Sequence, residues 1–195
     1  SNRINTPEIA EKILEQGCAD LVSMARPLLA DPEFPIKAQS GRADEINTCI
    51  ACNQACLDHV FGGKQASCLV NPFACYETEL KLRPAQIKKK IAVVGAGPAG
   101  LAFACAASER GHQVELFEKS HEIGGQFNLA KKIPGKEEFF ETIRYFANEL
   151  AAKKVKVHLN TEVDVKRLLE ENFAEVIIAS GVLPRKPEIA GIGSF

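Results

Sequence analysis

The sequence carries no excess of either charge, with 24 lysines and arginines against 25 aspartates and glutamates and a formal net charge of −1 at pH 7. Without a basic field there is nothing to hold the phosphates of a nucleic acid or an anionic membrane surface. The local run Lys88-Lys89-Lys90 reads as a solvated lead-in to a strand. An apolar run of membrane-spanning length is also missing. The longest, residues 91–107, falls short of the roughly 20 residues required and is broken by Gly95, Gly97, Pro98 and Gly100. No secretory leader precedes the seven cysteines, an odd total, so reduced thiols in the cytoplasm are expected rather than a disulfide framework. At 195 residues the chain is too short for a full (β/α)8 barrel with anything attached, so pieces of more than one unit are expected.

What the sequence concentrates is thiol. Cys49, Cys52, Cys56 and Cys68 fall within residues 49–68. The first three also match one face of an amphipathic helix, which would make them small core residues. The scarcity of bulky apolar neighbours and the fourth thiol weigh against that. Four thiolates suit either Zn2+ or an iron-sulfur cluster. Three ligands from one compact segment and one from afar depart from the paired knuckles of zinc sites and lean toward a cubane [4Fe-4S] cluster. Cys75 competes for the fourth position and ranks second; Cys18 and Cys105 read as small buried hydrophobes.

Ahead of the cysteines, Thr6-Pro7-Glu8 reads as a helix start, with the helix running to about Gln16 and stopping at Gly17. Ala19 to Met24 reads as a buried strand, followed by a loop carrying Arg26 and a short helix near Leu28-Leu29-Ala30. This αβα fragment is the repeating unit of an α/β barrel. The loop after a late barrel strand commonly grips a phosphate, which makes Arg26 a candidate phosphate ligand, with Asn2 and Arg3 facing the same site. An ordinary surface arginine is an equal alternative on these residues alone. Residues 39–47 read as a linker.

After the cysteines, Ile91-Ala92-Val93-Val94 reads as a strand, followed by Gly95-Ala96-Gly97-Pro98-Ala99-Gly100, a helix through Arg110, and a second strand ending at Glu118. Strand, GxGxxG, helix and an acid about 20 residues on complete a dinucleotide-binding βαβ unit. Gly95 permits the tight turn, Gly97 lets the backbone approach the pyrophosphate and Gly100 lets helix and strand pack closely, while Glu118 would accept from the adenosine ribose. Residues 137–153 form an amphipathic helix with Phe139, Phe140, Ile143, Phe146 and Leu150 on one side. Residues 155–159 are a strand with His158 on its surface, residues 164–170 a helix, residues 175–179 a final buried strand, and residues 184–195 an exit linker.

Asn2-Arg3-Ile4-Asn5, Met24-Ala25-Arg26-Pro27, Asn47-Thr48-Cys49-Ile50, Cys52-Asn53, Cys56-Leu57-Asp58, Cys68-Leu69-Val70-Asn71-Pro72 and Gly95 to Gly100 closely resemble the bacterial NADPH-dependent 2,4-dienoyl-CoA reductases, iron-sulfur flavoenzymes related to trimethylamine dehydrogenase. Gly124-Gly125-Gln126 resembles the second glycine pair of two-dinucleotide flavoproteins and favours FAD, and Ser180-Gly181 resembles their strand-terminal A-T-G. The resemblance implies that Cys49, Cys52, Cys56 and Cys68 bind a [4Fe-4S] cluster and that Asn2, Arg3, Ala25 and Arg26 sit at the FMN phosphate. Ala96, Gly97, Ala99, Glu118, Gln126, Lys136 and Val163 would line FAD, with Gly125 shaping the loop beside the flavin.

The implied fold is α/β: the C-terminal fragment of a (β/α)8 barrel over residues 1–44, a small iron-sulfur segment with linker over 45–84, and a partial Rossmann-like FAD-binding domain over 85–195. Electrons would run from NADPH to FAD, singly through the cluster to FMN, and then as hydride to an unsaturated acyl-CoA. The flavin-ring pocket, the proton-donating acid and the NAD(P)H domain of that family have no counterpart in these residues. The chain is therefore expected to be a fragment, inactive alone and completed by the remainder of its own parent chain. Another iron-sulfur flavoenzyme (an amine dehydrogenase or NADH oxidase) and a non-catalytic electron-transfer or FAD-binding module are the alternatives.

Overall fold

The structure is a computed structural model that describes residues 3–183, 185, 188 and 189. Its N-terminal part is a series of short helices. The first, α1 (Pro7–Glu15), begins where the Thr6 hydroxyl accepts from the Ile9 N–H at 3.4 Å and Pro7 occupies the first turn, a favourable start because proline there forfeits no hydrogen bond. There follow α2 (Arg26–Ala30), α3 (Phe34–Gln39), a 3-10 turn at Ala43–Glu45, and α4 (Leu57–Phe61). Between them the backbone is irregular, and small apolar side chains such as Ala10, Ala30, Ile46, Ile50 and Ala74 are buried along with Phe34.

The C-terminal part is a layered α/β unit: β1 (Lys90–Val94), α5 (Pro98–Glu109), β2 (Gln113–Phe117), α6 (Phe127–Ala130), α7 (Phe139–Ala152), β3 (Lys156–His158), α8 (Val165–Glu170) and β4 (Glu175–Ile178). All pairings are parallel, in the order β3-β2-β1-β4. The chain thus moves outward from β1 to one side and returns to the other. That reversal leaves a crevice at the C-terminal ends of β1 and β4, where doubly wound sheets bind ligands. Ile91, Val93, Val114 and Leu116 meet Leu101, Ala104, Cys105 and Ala107 of α5 and Leu150 of α7 in one core. The small residues of α5 let it lie close against the sheet.

Several expectations fail on physical grounds. Residues 19–24 form no strand, and Leu21 is 87% exposed, because a barrel strand needs ladder partners on both sides and these residues meet none. Cys18 is exposed rather than buried, whereas Cys105 is buried as expected. The final strand is not buried either: β4 is a sheet edge, with Val176 and Ile178 exposed. Phe140 turns outward to solvent and carries the Lys131 ammonium 4.8 Å from its ring centre. His158 lies on an edge strand but is not a free surface residue, since it stacks on Phe117 and contacts the buried Glu115 carboxylate at 2.8 Å. Helices α3 and α4 are additional to those the sequence pattern predicts. The exit linker and Asn2 lie largely or wholly outside the described residues. No described helix is long and apolar enough to cross a membrane.

Candidate functional site

The glycine turn between β1 and α5 is built for close approach. Gly95 has φ +107°, and a Cβ there would stand 2.4 Å from the Ala179 carbonyl oxygen at the end of β4. A Cβ on Gly100 would stand 1.9 Å from the Gly95 carbonyl oxygen, so α5 reaches the turn only with glycine at this position. At Gly97, the N-cap of α5, no atom occupies the space a Cβ would take, and no side chain caps the helix. Among the described residues the first-turn N–H groups of this 12-residue helix are thus left without a side-chain cap, at the positive end where helices favour anions.

Other expected residues gather around this turn. The Gly124 N–H donates to the Ala96 carbonyl at 2.8 Å, and the Gly125 backbone packs directly against Gly97. Gln126 donates from Nε2 to the Val182 carbonyl at 3.0 Å, tying its loop to the chain just beyond β4. Glu118, at the tip of β2, accepts from the Ala96 N–H at 2.7 Å and the Ser120 N–H at 2.8 Å. Burial pushes its carboxyl up, but these N–H groups outweigh that and hold it below the ordinary carboxylate value. Val163 is half-buried two residues after Thr161, whose N–H donates to the Glu118 carbonyl at 2.8 Å. Ala99 is exposed on the first turn of α5. Lys136 stands apart from the turn, its ammonium over the Phe139 ring at the start of α7.

Cys49, Cys52, Cys56 and Cys68 all line one narrow cavity, about 10 Å³ in volume, together with Arg26, Asn53 and Val70. They do not form a helical face. Cys49 and Cys52 sit in irregular backbone, and Cys56 is the N-cap of α4. Ala51 and Asn53, flanking Cys52, both adopt left-handed φ values of +52° and +61°, a backbone conformation that asparagine takes readily and alanine seldom. The Ala51 N–H points at the Cys49 sulfur, and those of Val70 and Asn71 at the Cys68 sulfur. Burial pushes the Cys49 and Cys68 thiols up, with neighbouring thiols adding to the rise. Cys75 is exposed and lies off this cavity. Among the described residues, no group of three or more His, Cys, Asp or Glu side chains is drawn together as the ligands of a single metal ion.

A second cleft, of about 80 Å³, is lined by Arg3, Asn5, Met24, Ala25, Arg26 and Cys49. Arg26 and Cys49 therefore form a wall common to this cleft and the thiol cavity. Arg26 donates from Nη1 to Asn53 Oδ1, and Arg3 pairs with Glu138 at the start of α7.

The sequence profile described as pyridine nucleotide-disulphide oxidoreductase matches residues 89–195, over half of the chain. The chain belongs to this oxidoreductase family. The profile of the NADH:flavin oxidoreductase / NADH oxidase family matches residues 1–45. Among curated relatives, a metal reductase of Desulforamulus reducens is 47% identical over 96% of this chain and 29% of its own length. An NADH oxidase of Thermoanaerobacter brockii is 42% identical, again over 96% of this chain and 29% of its own. A solved 2-naphthoyl-CoA reductase superposes with a TM-score of 0.92 at 41% identity, covering 98% of this chain and 29% of that one. The chain thus spans under a third of the length of these relatives.

The side chains that hold the cysteine segment in place are polar and reach across the N-terminal part of the chain. Asn5 donates to the Cys49 carbonyl at 3.0 Å, Asn47 to the Val70 carbonyl at 2.8 Å, and Asn71 to the Leu29 carbonyl at 2.9 Å. Buried Asp31 accepts from the Asn47 N–H at 2.9 Å and from Lys37 at 2.7 Å. These bonds tie the chain beside Cys49 and Cys68 to residues 5–37. An asparagine bonding a carbonyl far away in sequence leaves no local pattern; the unusual density of Asn next to the cysteines is the one signal available.

Proposed function

We propose that the chain is the middle of the electron path of an iron-sulfur flavoenzyme. In this reading residues 1–44 close the FMN-binding end of a barrel, residues 45–84 carry a [4Fe-4S] cluster, and residues 85–195 begin an FAD-binding domain. The observation that carries the reading is the wall shared by Arg26 and Cys49, which puts a cationic cleft and a four-thiol cavity back to back.

The donor set fits a cluster in kind and number, and occupation requires the four cysteine side chains to open outward from the narrow cavity. Cys49, Cys52, Cys56 and Cys68 would be the ligands, with the Ala51, Val70 and Asn71 N–H groups directed at sulfur. A cluster there supplies one-electron transfer between partners that exchange electrons in pairs. Arg3 and Arg26 would bring positive charge to the FMN phosphate, with Asn2 and Ala25 beside it. At the other site the N–H groups after Gly97 receive the FAD pyrophosphate, Gly95 and Gly100 keep the turn tight, and Glu118 uses its remaining lone pairs for the adenosine ribose. Ala96, Ala99, Gly125, Gln126 and Val163 would line that pocket, and Lys136, which stands apart from the turn over Phe139, would have to swing toward it to join them.

NADPH is the proposed donor and an unsaturated acyl-CoA the proposed acceptor. The thioester is favoured by the likeness to a naphthoyl-CoA reductase, while the metal reductase and NADH oxidase relatives are consistent with the same path ending on another acceptor. In this reading the hydride-donor site and the substrate pocket belong to the remainder of the parent chain, so purified chain mixed with NADPH and a 2,4-dienoyl-CoA leaves the dienoyl absorbance unchanged. Loss of that absorbance would contradict the assignment of this chain to the middle of the path. A longer polypeptide containing the chain is expected to reduce the dienoyl thioester; reduction of oxygen or metal ions alone would transfer the assignment to the other acceptors.

A further inference from the structure

One helix touches both proposed cofactor sites. On α7, the Ile143 side chain lies against Gly124, since a Cβ on that glycine would meet Ile143 Cδ1 at 2.9 Å, and Gly124 is bonded to Ala96 in the dinucleotide turn. The next residue, Arg144, points about 100° around the helix, toward the stretch that leads into Cys49. Its guanidinium donates from Nη2 to the Ile46 carbonyl at 2.7 Å and to Thr48 Oγ1 at 3.3 Å, and from Nη1 to the Asp44 carbonyl. Glu141 orients it, accepting from Nε at 2.6 Å. Asn148 adds a bond to the Asp44 carbonyl at 2.7 Å.

We propose that Arg144 is a positioning residue that sets the separation of the cysteine site from the FAD site. The proposal rests on the reading of those two sites given above. Arg144 touches neither site directly. It acts through Thr48, the residue bonded to Cys49, while its neighbour Ile143 holds the glycine loop, so the register of one helical turn fixes the gap. An exposed Arg–Glu pair contributes about 0–1 kcal/mol at most. A guanidinium fork shared among two backbone carbonyls and a hydroxyl is a geometric clamp, which an ammonium cannot reproduce.

The test uses the chain loaded with FAD, iron and sulfide. Fluorescence of bound flavin is quenched by electron transfer to a nearby cluster, and the quenching rate depends steeply on separation. Arg144→Ala is expected to keep its FAD and iron and to slow the quenching several-fold, because the gap is then no longer held by the clamp. Amide exchange at residues 46–49 rises while exchange in β1 stays unchanged, and Arg144→Lys is intermediate. An unchanged flavin lifetime at full FAD and iron content overturns the proposal. If Arg144→Ala loses its iron, Arg144→Lys is read in its place, and loss of iron there too makes Arg144 merely structural and overturns the proposal. Unsubstituted chain that binds FAD but no iron fails the cysteine-site reading itself, a distinct result seen before any variant is made, and the proposal falls with it.

Discussion

The two halves of this chain build their sites by different means. Residues 89–183 form a sheet with a continuous apolar core, and the glycine turn is placed by backbone geometry: a strand end, a helix start and close contacts that admit no side chain. Residues 3–88 have only short helices, and their thiols are placed by polar side chains reaching across to distant carbonyls. A site built on a core tolerates changes to its surface and fails with its packing. A site built on clamps fails one hydrogen bond at a time, with the rest of the fold intact.

The sharpest way to break this contrast is in the core of the sheet, residues 89–183. Leu116 is fully buried in β2, so Leu116→Ala is expected to cost roughly 2–5 kcal/mol, read as a lower urea midpoint with an unchanged denaturant slope. Next comes the turn itself. Gly100→Ala forces a Cβ into the Gly95 carbonyl, at a cost of about 1–3 kcal/mol for overpacking together with loss of FAD retention on gel filtration. Among residues 3–88, Asn71→Ala frees the Leu29 carbonyl and is expected to cost about 1 kcal/mol. Iron retention should fall while the melting of the sheet, followed by far-UV circular dichroism, stays where it was. Equal loss of iron and sheet stability would show that the two halves are not built differently.

Acidification gives the smallest effect. Burial raises the Glu118 carboxyl, but the Ala96 and Ser120 N–H groups lower it more. A group lowered on folding stabilises above its unfolded pKa, about 4.3, and that contribution is lost as pH falls through the still lower folded value. Stability of unsubstituted chain should therefore drop more steeply below about pH 4.3 than that of Glu118→Gln, as read by urea midpoints across that range.

The same contrast decides how much was legible in the sequence. The βαβ unit could be read because strand, glycines, helix and acid follow one another within 30 residues, each with a local signature. The βα turn, α7 and the capped start of α1 at Thr6-Pro7 lie where the pattern put them. The clamps could not be read, because Asn47 and its acceptor are 23 residues apart and Arg144 and Ile46 are 98 apart, distances at which no periodicity survives. The strand expected at residues 19–24 shows the opposite error. Its apolar pattern is genuine, but a strand is a pairing, and among the described residues no strand lies beside these.

The central claim is that Cys49, Cys52, Cys56 and Cys68, rather than Cys75, form an iron-sulfur site beside the Arg26 cleft. Its most direct test is the metal and sulfide content of chain reconstituted anaerobically with iron and sulfide, measured beside Cys68→Ser and Cys75→Ser. Iron and acid-labile sulfide in equal amounts, lost in Cys68→Ser and kept in Cys75→Ser, are the predicted result. Zinc bound without sulfide, or a site that survives Cys68→Ser and fails with Cys75→Ser, would contradict it.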